Sequence, residues 1–265
     1  MRKDYEPASL HPAAQGERAF LEEFWTRHWE TAGRAAPPES VTRREEYRLM
    51  EPYLRRLPPT GRLLDGGCGL GEWTVYLTGR GFEVVGLDLS QATIERLSAA
   101  WPQCRFVCGD IRQTGFPDAS FDAYFSWGTF EHFEQGMGEC IVEAYRLLKP
   151  GGWLFISVPF HNWRLILRDA RRLPAPADGA AGVRRFYQWR LTGPELRHEL
   201  EIRGLRVQAI KAIAKDQGVH RWLQWDVRLW REGTLPFAVA RRALSLVMPS
   251  RFISHMIWAA AQKPE

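Results

Sequence analysis

The chain has 265 residues, of which 45% are hydrophobic, and a formal net charge of +5. This length is enough for one α/β domain with insertions, or for at most two small domains. No stretch reaches the roughly 20 apolar residues of a membrane span, and the N-terminal residues lack the apolar core of a secretory signal. Cys104 and Cys108 are four positions apart, but they lie in or beside a predicted strand and no histidine pair accompanies them, so we expect reduced thiols, no metal site and a cytoplasmic protein.

Positive charge is concentrated in two segments. Residues 161–190 contain seven arginines and two acidic residues, and residues 215–252 contain seven basic and three acidic residues. The rest of the chain therefore carries a net charge of −4. Such clustering indicates a negatively charged partner. Charge alone does not show whether that partner is a substrate, a membrane surface or a nucleic acid.

Residues 1–60 are predicted to be mainly helical. Glu17–Thr31 forms one amphipathic helix, and a second helix runs from Ser40 to about Leu57, each followed by two consecutive prolines. The first helix places large aromatic side chains on one side, from Phe20, Phe24 or Trp25, and Trp29 or His28. These helices form either a lid over a ligand pocket or a cover packed on the edge of a sheet.

The most informative run is LLDGGCGLGEW, from Leu63 to Trp73. A short strand, Arg62–Leu64, leads into Asp65 and then into glycines at alternate positions, Gly67, Gly69 and Gly71. Because glycine accepts positive φ and has no Cβ, this backbone can turn tightly and lie against a ligand. The free N–H groups of the following helix point at the same crevice. The loop therefore predicts a site for a nucleotide-sized cofactor.

Acidic residues also follow the next two predicted strands. Phe82–Leu87 ends at Asp88, and Arg105–Cys108 leads into Asp110 and Ile111. A carboxylate at the end of the second strand can accept hydrogen bonds from both hydroxyls of a ribose. The remaining predicted elements are a strand at Phe121–Ser126, a helix at Met137–Leu148, and strands at Trp153–Val158, Leu205–Ile213 and Ile253–Lys263.

These motifs resemble, in type and order, the class I S-adenosylmethionine (SAM)-dependent methyltransferases, specifically the small-molecule "type 11"-like domains. The resemblance rests on the D-x-G-x-G-x-G loop, the strand-end acids, the turn at Asp118–Phe121 and the element Leu148-Lys149-Pro150-Gly151-Gly152-Trp153-Leu154. It implies an α/β fold with a Rossmann-like seven-stranded mixed sheet, whose last strand is antiparallel. The implied organisation is a helical lid at 1–60, a SAM-binding core at 61–160, a basic insertion at 161–190, and the rest of the core at 191–265 with a helical insertion at 215–252.

The resemblance also implies the cofactor contacts. Asp65 would bind the methionine ammonium, Asp88 the ribose, and Asp110 the adenine amino group. Trp127 would either cover the cofactor or pack in the core. The predicted set is Asp65, Gly67, Gly69, Asp88, Leu89, Asp110, Ile111 and Trp127.

The residues after the fourth strand bear on the methyl acceptor. They contain no Asn/Asp-Pro-Pro-Tyr and no Pro-Cys motif, which disfavours nucleobase and glutamine acceptors. The Glu131-His132 pair resembles one found in small-molecule methyltransferases, and His132 is the candidate general base because imidazole accepts protons near neutrality. The alternative is that His132 only packs beside the cofactor.

The predicted function is methyl transfer to an oxygen or nitrogen of a small, anionic metabolite, such as a sugar or a carboxylated or phosphorylated compound. Arg184 and Arg185 are the predicted substrate-binding residues, since arginine binds carboxylate and phosphate groups bidentately. An alternative is a lipid-linked acceptor, with peripheral membrane contact through 215–252, where tryptophan and arginine alternate. A non-catalytic SAM-binding subunit and a nucleic-acid methyltransferase are further alternatives, which the strand-end acids and the lack of a separate RNA-binding module disfavour.

Overall fold

The computed structural model describes residues 1–7, 16–33, 35–171, 184–227 and 232–265, except for the side chains of Pro7 and Arg184. The strands are β1 (Arg2–Pro7), β2 (Arg62–Gly66), β3 (Glu83–Asp88), β4 (Arg105–Cys108), β5 (Phe121–Trp127), β6 (Leu148–Pro159), β7 (Arg184–Arg190), β8 (Arg206–Ile213) and β9 (Met256–Gln262). The α-helices are α1 (Glu17–Ala32), α2 (Glu45–Leu54), α3 (Glu72–Gly79), α4 (Gln91–Ala100), α5 (Gly138–Leu147), α6 (Trp163–Arg171), α7 (Gly193–Glu201), α8 (Lys215–Trp222), α9 (Leu235–Val247) and α10 (Ser250–Ile253).

A seven-stranded mixed sheet in the order β4-β3-β2-β5-β6-β9-β8 forms the centre of the molecule, and the predicted fold class is confirmed. The first five strands of this order are parallel, and β9 runs antiparallel to both of its neighbours. Parallel strands covered on both faces have continuous apolar runs, which explains Leu63, Leu64, Val84 and Val85. Strand order reverses between β2 and β5, so a ligand crevice opens at their carboxyl ends.

Helices cover both faces of this sheet. Ile141 of α5 and Leu196 of α7 are buried in the cluster on one face, together with Phe20 and Leu21 of α1. On the other face, α2 and α3 bury Met50, Trp73 and Leu77. Burying a large apolar side chain contributes about 1.5–3 kcal/mol, so α1 is held over the crevice by ordinary core packing.

The N-terminal region differs from the all-helical prediction. Helix α1 follows the predicted bounds closely, but Arg2–Pro7 is a strand that pairs antiparallel with β7. The partners are more than 170 residues apart in the chain, so no local pattern reveals the pairing. The predicted second helix is divided into a 3₁₀ helix, Pro38–Arg43, and α2, because Arg44 between them is extended.

The two basic segments also have defined structure. Segment 161–190 contains α6 and β7, and residues 172–183 lie outside the described part of the chain. In segment 215–252, α8 continues as a π-helical stretch, Leu223–Val227, before α9 and α10. Three residues of the predicted membrane-binding helix, Arg228, Leu229 and Arg231, fall outside the described residues. None of the helices described has both the length and the apolar character needed to cross a bilayer.

Candidate cofactor cleft and acceptor site

The glycine loop after β2 turns in the way its sequence predicts. Gly67, Gly69 and Gly71 have φ values of +78°, +52° and +77°, which residues with a Cβ rarely adopt. A Cβ on Gly67 would lie 2.4 Å from Thr129 Oγ1, and one on Gly69 would lie 2.8 Å from the Trp29 ring. The loop therefore needs glycine both for its backbone conformation and for the close approach of its neighbours.

Asp88 is buried at the end of β3 in an orientation fixed by the backbone. Its Oδ2 accepts a hydrogen bond from Gly69 N at 2.9 Å, and its Oδ1 accepts one from Ser90 N at 3.0 Å. Burial raises the pKa of this carboxyl group, and the backbone hydrogen bonds oppose that shift. Each oxygen keeps a further lone pair, so the side chain can still accept hydrogen bonds from two hydroxyls of a ligand.

Asp110 belongs to a charged chain that reaches α1. Arg112 donates to both carboxylate oxygens of Asp110 and, through Nη1, to Glu17 Oε2 at 2.6 Å. Burial raises the pKa of Asp110, but the hydrogen bonds and charge of Arg112 outweigh it and lower the pKa overall. The acid predicted to bind adenine is therefore ionised, and it is tied to the first turn of α1 through one arginine.

Asp65 lies beneath the loop rather than in the wall of the cleft. It is almost completely buried, and its Oδ2 accepts a hydrogen bond from Thr74 Oγ1 at 2.8 Å. Burial, with a smaller effect of the Asp88 charge, raises the pKa of Asp65 to about 7. A cationic group bound nearby, such as an ammonium, would favour the ionised carboxylate.

Helix α1 covers the cleft. The walls bring together seven of the predicted residues, namely Gly67, Asp88, Leu89, Asp110, Ile111, Trp127 and His132. Leu21, Trp25 and Trp29 of α1 close the opening and leave a cavity of about 130 Å³. Ligand pockets usually measure about 300–1,000 Å³, so α1 has to move outward to admit a nucleoside-sized ligand.

The cleft has the features that SAM requires. Its walls contain two buried polar atoms without a hydrogen-bond partner, Nε1 of Trp29 and Nε1 of Trp127. Such orphaned donors are uncommon in protein interiors and indicate a site that a polar ligand completes. Together with Asp88 and the close backbone at Gly67 and Gly69, they fit a cofactor with a ribose and a polar base.

His132 is one of the residues that line the cleft. Its Nδ1 is 2.8 Å from the Tyr187 carbonyl oxygen, and its Nε2 is 3.8 Å from Oε1 of the buried Glu131. Burial lowers the pKa of His132 to about 4 and raises that of Glu131 to about 8. The imidazole is therefore neutral at physiological pH. With Nδ1–H donating to Tyr187, the lone pair is on Nε2.

The two arginines predicted to bind the acceptor have a different environment. The guanidinium carbon of Arg185 lies 3.5 Å from the centre of the Phe20 ring in α1, and its backbone pairs with Glu6 in the β1–β7 ribbon. Arg185 is absent from the cleft walls. The side chain of Arg184 lies outside the described part of the structure. Their role in substrate binding stays a prediction.

Two residues that the sequence analysis did not select contribute to the site. Arg112 follows the predicted acid Asp110 by two positions, and that proximity is a usable signal for an ion pair. Tyr187 contacts the His132 ring with 5.2 Å between ring centres, but it lies 55 residues further along the chain. No short-range pattern indicates such a contact.

The comparisons with known proteins agree with this geometry. Residues 64–156 match the family model described as a methyltransferase domain, and this range contains the loop and the strand-end acids. The chain contains a class I SAM-dependent methyltransferase domain. The predicted family and its cofactor, SAM, are thus confirmed for this domain. The match covers about a third of the chain, so the segments that would choose the acceptor lie outside it.

Individual relatives extend the comparison. A probable SAM-dependent methyltransferase of Mycolicibacterium smegmatis is 27% identical over 59% of this chain and 56% of its own length. A 2-methyl-6-phytyl-1,4-hydroquinone methyltransferase of Synechocystis is 29% identical over 60% of this chain and 51% of its own. The chain thus spans little more than half the length of these relatives. The crystal structure of Burkholderia thailandensis 1,6-didemethyltoxoflavin-N1-methyltransferase superposes with a TM-score of 0.60 at 19% identity, covering 100% of this chain and 96% of that one.

Proposed function

We propose that the protein transfers a methyl group from SAM to an oxygen or nitrogen of a small, negatively charged metabolite. The observation that carries this proposal is a single cleft that joins the cofactor acids to a neutral histidine. Asp88, Asp110 and His132 all line this cleft, which α1 covers. The cofactor supplies a methyl group already activated by a sulfonium charge, so the protein has to align the acceptor and exclude water.

The residues of the cleft have separate proposed roles. Asp88 accepts the ribose hydroxyls, Asp65 offers its carboxylate to the methionine ammonium, and Asp110 accepts from the adenine amino group. Leu89, Ile111 and Trp127 enclose the cofactor, while Gly67 and Gly69 let the backbone approach it. Trp25 and Trp29 exclude water once α1 closes. This arrangement follows the family resemblance and the burial of each group.

We propose that His132 removes the proton of the acceptor. The hydrogen bond between Nδ1 and the Tyr187 carbonyl fixes the ring, and Nε2 is left as the acceptor of a proton. The low pKa makes this base fully deprotonated at neutral pH, although it also makes it weaker than a free histidine. Burial raises the pKa of Glu131 to about 8, so this carboxyl group is mostly protonated at neutral pH, and an imidazolium 3.8 Å away would favour its ionisation.

A second candidate function is methylation of a lipid-linked acceptor at a membrane surface. The observation that favours it is the outer face of α9, where Leu235, Val239, Leu246 and Val247 are between 58% and 77% exposed. Helix α9 contains Arg241 and Arg242 and no acidic residue. Such a surface suits an anionic bilayer, and the similar hydroquinone methyltransferase acts, by its name, on a lipid-like acceptor.

One experiment separates these functions. The purified protein is incubated with methyl-labelled SAM and an extract of the native host, which has been fractionated into aqueous metabolites, lipids and nucleic acids. We expect label in an anionic aqueous metabolite, identified by mass spectrometry. Label in the lipid fraction would replace the proposal with the membrane candidate, and label in RNA or DNA would contradict both. Binding of S-adenosylhomocysteine without any transfer would indicate a binding subunit.

A further inference from the structure

A second cavity, of about 700 Å³, lies outside the cofactor cleft. Its walls come from β1, α6, β7, α8 and the π-helical stretch that follows α8. Five arginine or lysine side chains and three carboxylates line it. Three of these cations, Arg168, Arg190 and Arg221, come from the basic segments 161–190 and 215–252, and they line one open cavity.

Tyr187 lies between this cavity and the cofactor cleft. It lines the second cavity, while its carbonyl oxygen and its ring both contact His132, which lines the first. Arg221, which lines the same cavity as Tyr187, is close enough for its charge to act on the Tyr187 phenol. A molecule in the second cavity is thus separated from the proposed base by a single side chain.

Most cations of this cavity are bound to carboxylates. Asp4 accepts from Arg190 and from Gln188, and Asp169 pairs with both Arg2 and Arg168. Both carboxylates are therefore already paired with cations other than Arg221.

Arg221 is different, because it is half-buried and has no carboxylate partner among the described residues. Its guanidinium lies over the exposed ring of Trp225, with 5.0 Å between the guanidinium carbon and the ring centre. Asp4 acts on Arg221 only at a distance, since its oxygens are occupied by Arg190 and Gln188. Removing a cation from water without a counterion costs free energy. Arg221 therefore lacks the one negative charge that would balance it.

The groups around Arg221 are mainly cationic or neutral and do not supply this negative charge. Burial, and then the charge of Arg190, lower the pKa of Arg221. Burial together with Arg221, Arg190 and Arg164 lowers the pKa of His255 to about 3, so this histidine contributes no charge at neutral pH. The Nε atoms of Arg164 and Arg190 are buried without a hydrogen-bond partner. Arg164 pairs with Asp226 and Arg190 with Asp4, so each of these two arginines keeps one donor without a partner among the described residues.

We propose that Arg221, beside Arg190, binds the anionic oxygens of the methyl acceptor, a carboxylate or a phosphate, in this second cavity. The proposal rests on the proposed methyltransferase function, which it refines by naming the charged contact. With the anion held there, the rest of the acceptor passes Tyr187 and presents its nucleophilic atom to His132. Arginine suits this task because its planar guanidinium donates two parallel hydrogen bonds to such groups.

The test uses inorganic phosphate and malonate as probes, each added to about 20 mM, with the thermal unfolding midpoint as the readout. Arg221→Met removes the charge and keeps much of the volume, and Arg221→Lys keeps the charge without the planar fork. Arg96→Gln, an exposed arginine of α4, is the matched control. We expect one or both probes to stabilise the native protein and the control. The probe's Kd should rise at least about tenfold in Arg221→Met, the loss expected for one charge-assisted hydrogen bond, and less in Arg221→Lys.

The proposal would be overturned by equal stabilisation of the native protein and Arg221→Met, or by stabilisation of neither. Without a probe, Arg221→Met should be at least as stable as the native protein, because an unpaired buried cation has been removed. Binding of S-adenosylhomocysteine is measured in the same variants. If the native protein does not bind S-adenosylhomocysteine, the methyltransferase function is rejected, while the anion result still stands. The two proposals therefore fail separately.

Discussion

The cofactor cleft and the cavity beside Arg221 are neighbours but are built in different ways. The cofactor cleft is formed by consecutive segments at the carboxyl ends of β2, β3, β4 and β5, each contributing a glycine or an acid at its last residue or the next one. The second cavity joins β1 to β7, α6, α8 and the π-helical stretch, and its lining residues, from Met1 to Trp225, are up to 224 positions apart. One cavity is defined by local motifs, and the other by long-range pairing of segments.

This difference separates what the fold requires from what the substrate requires. In the cofactor cleft, backbone N–H groups fix Asp88, and glycine is needed for space, so few residue types are tolerated. In the second cavity, the side chains are placed by their partners in the insertions, which can vary without disturbing the sheet. We therefore expect substitutions of the loop glycines and strand-end acids to affect cofactor binding, and substitutions in the second cavity to affect the acceptor alone.

The largest expected effect is the loss of cofactor binding in Gly69→Val. A β-branched side chain disfavours the φ of +52°, and its Cβ would lie 2.8 Å from the Trp29 ring, in the space that the cofactor needs. Calorimetric titration with S-adenosylhomocysteine should show no binding. Gly79→Val, at an exposed glycine with open space around it, is the control and should bind normally. Retained affinity in a folded Gly69→Val protein would refute the proposed path of the cofactor.

His132→Ala should lower the turnover rate and leave cofactor binding nearly unchanged. If His132 is the base, kcat falls roughly 10²–10⁴-fold with the labelled acceptor, while the affinity for S-adenosylhomocysteine is nearly unchanged. The acidic limb of the native rate profile should lie near pH 4, because burial lowers the pKa of His132 to about 4, and it should vanish in the variant. His198→Ala, in an exposed part of α7, is the matched control. A loss of less than about fivefold would leave His132 with a packing role and positioning as the main source of rate.

A smaller effect concerns stability in acid. The folded state holds fewer protons at His132 than the unfolded chain between about pH 4 and 6.5, so its stability falls as the pH is lowered through that window. Urea unfolding should show that the native protein loses about 2 kcal/mol more than His132→Gln between pH 7 and pH 5. Glutamine can still donate to the Tyr187 carbonyl but does not take up a proton. The raised pKa values of Asp65 and Glu131 affect stability in the opposite direction, but both proteins contain these groups, so their effect cancels in the comparison. Parallel curves of unfolding free energy against pH would therefore mean that burial does not hold His132 neutral.

The sequence predicts the first cavity far better than the second. Acids at strand ends and glycines in a loop are local signals, and so is the Thr192–Glu195 capping box that begins α7. The pairing of β1 with β7 and the contact between Tyr187 and His132 depend on segments that meet only in the folded chain. The charge count selected segments 161–190 and 215–252, but only packing distinguishes Arg185, stacked on Phe20, from Arg221, which has no carboxylate partner among the described residues.

The central claim is that a nucleoside cofactor binds under α1 with its ribose on Asp88. Isothermal titration of S-adenosylhomocysteine into the native protein and into Asp88→Ala tests it most directly. We predict 1:1 binding to the native protein, and a loss of roughly 1.5–3 kcal/mol in the variant, because two ribose hydroxyls lose a charged acceptor. No binding to the native protein, or unchanged affinity in a folded Asp88→Ala protein, would contradict the claim.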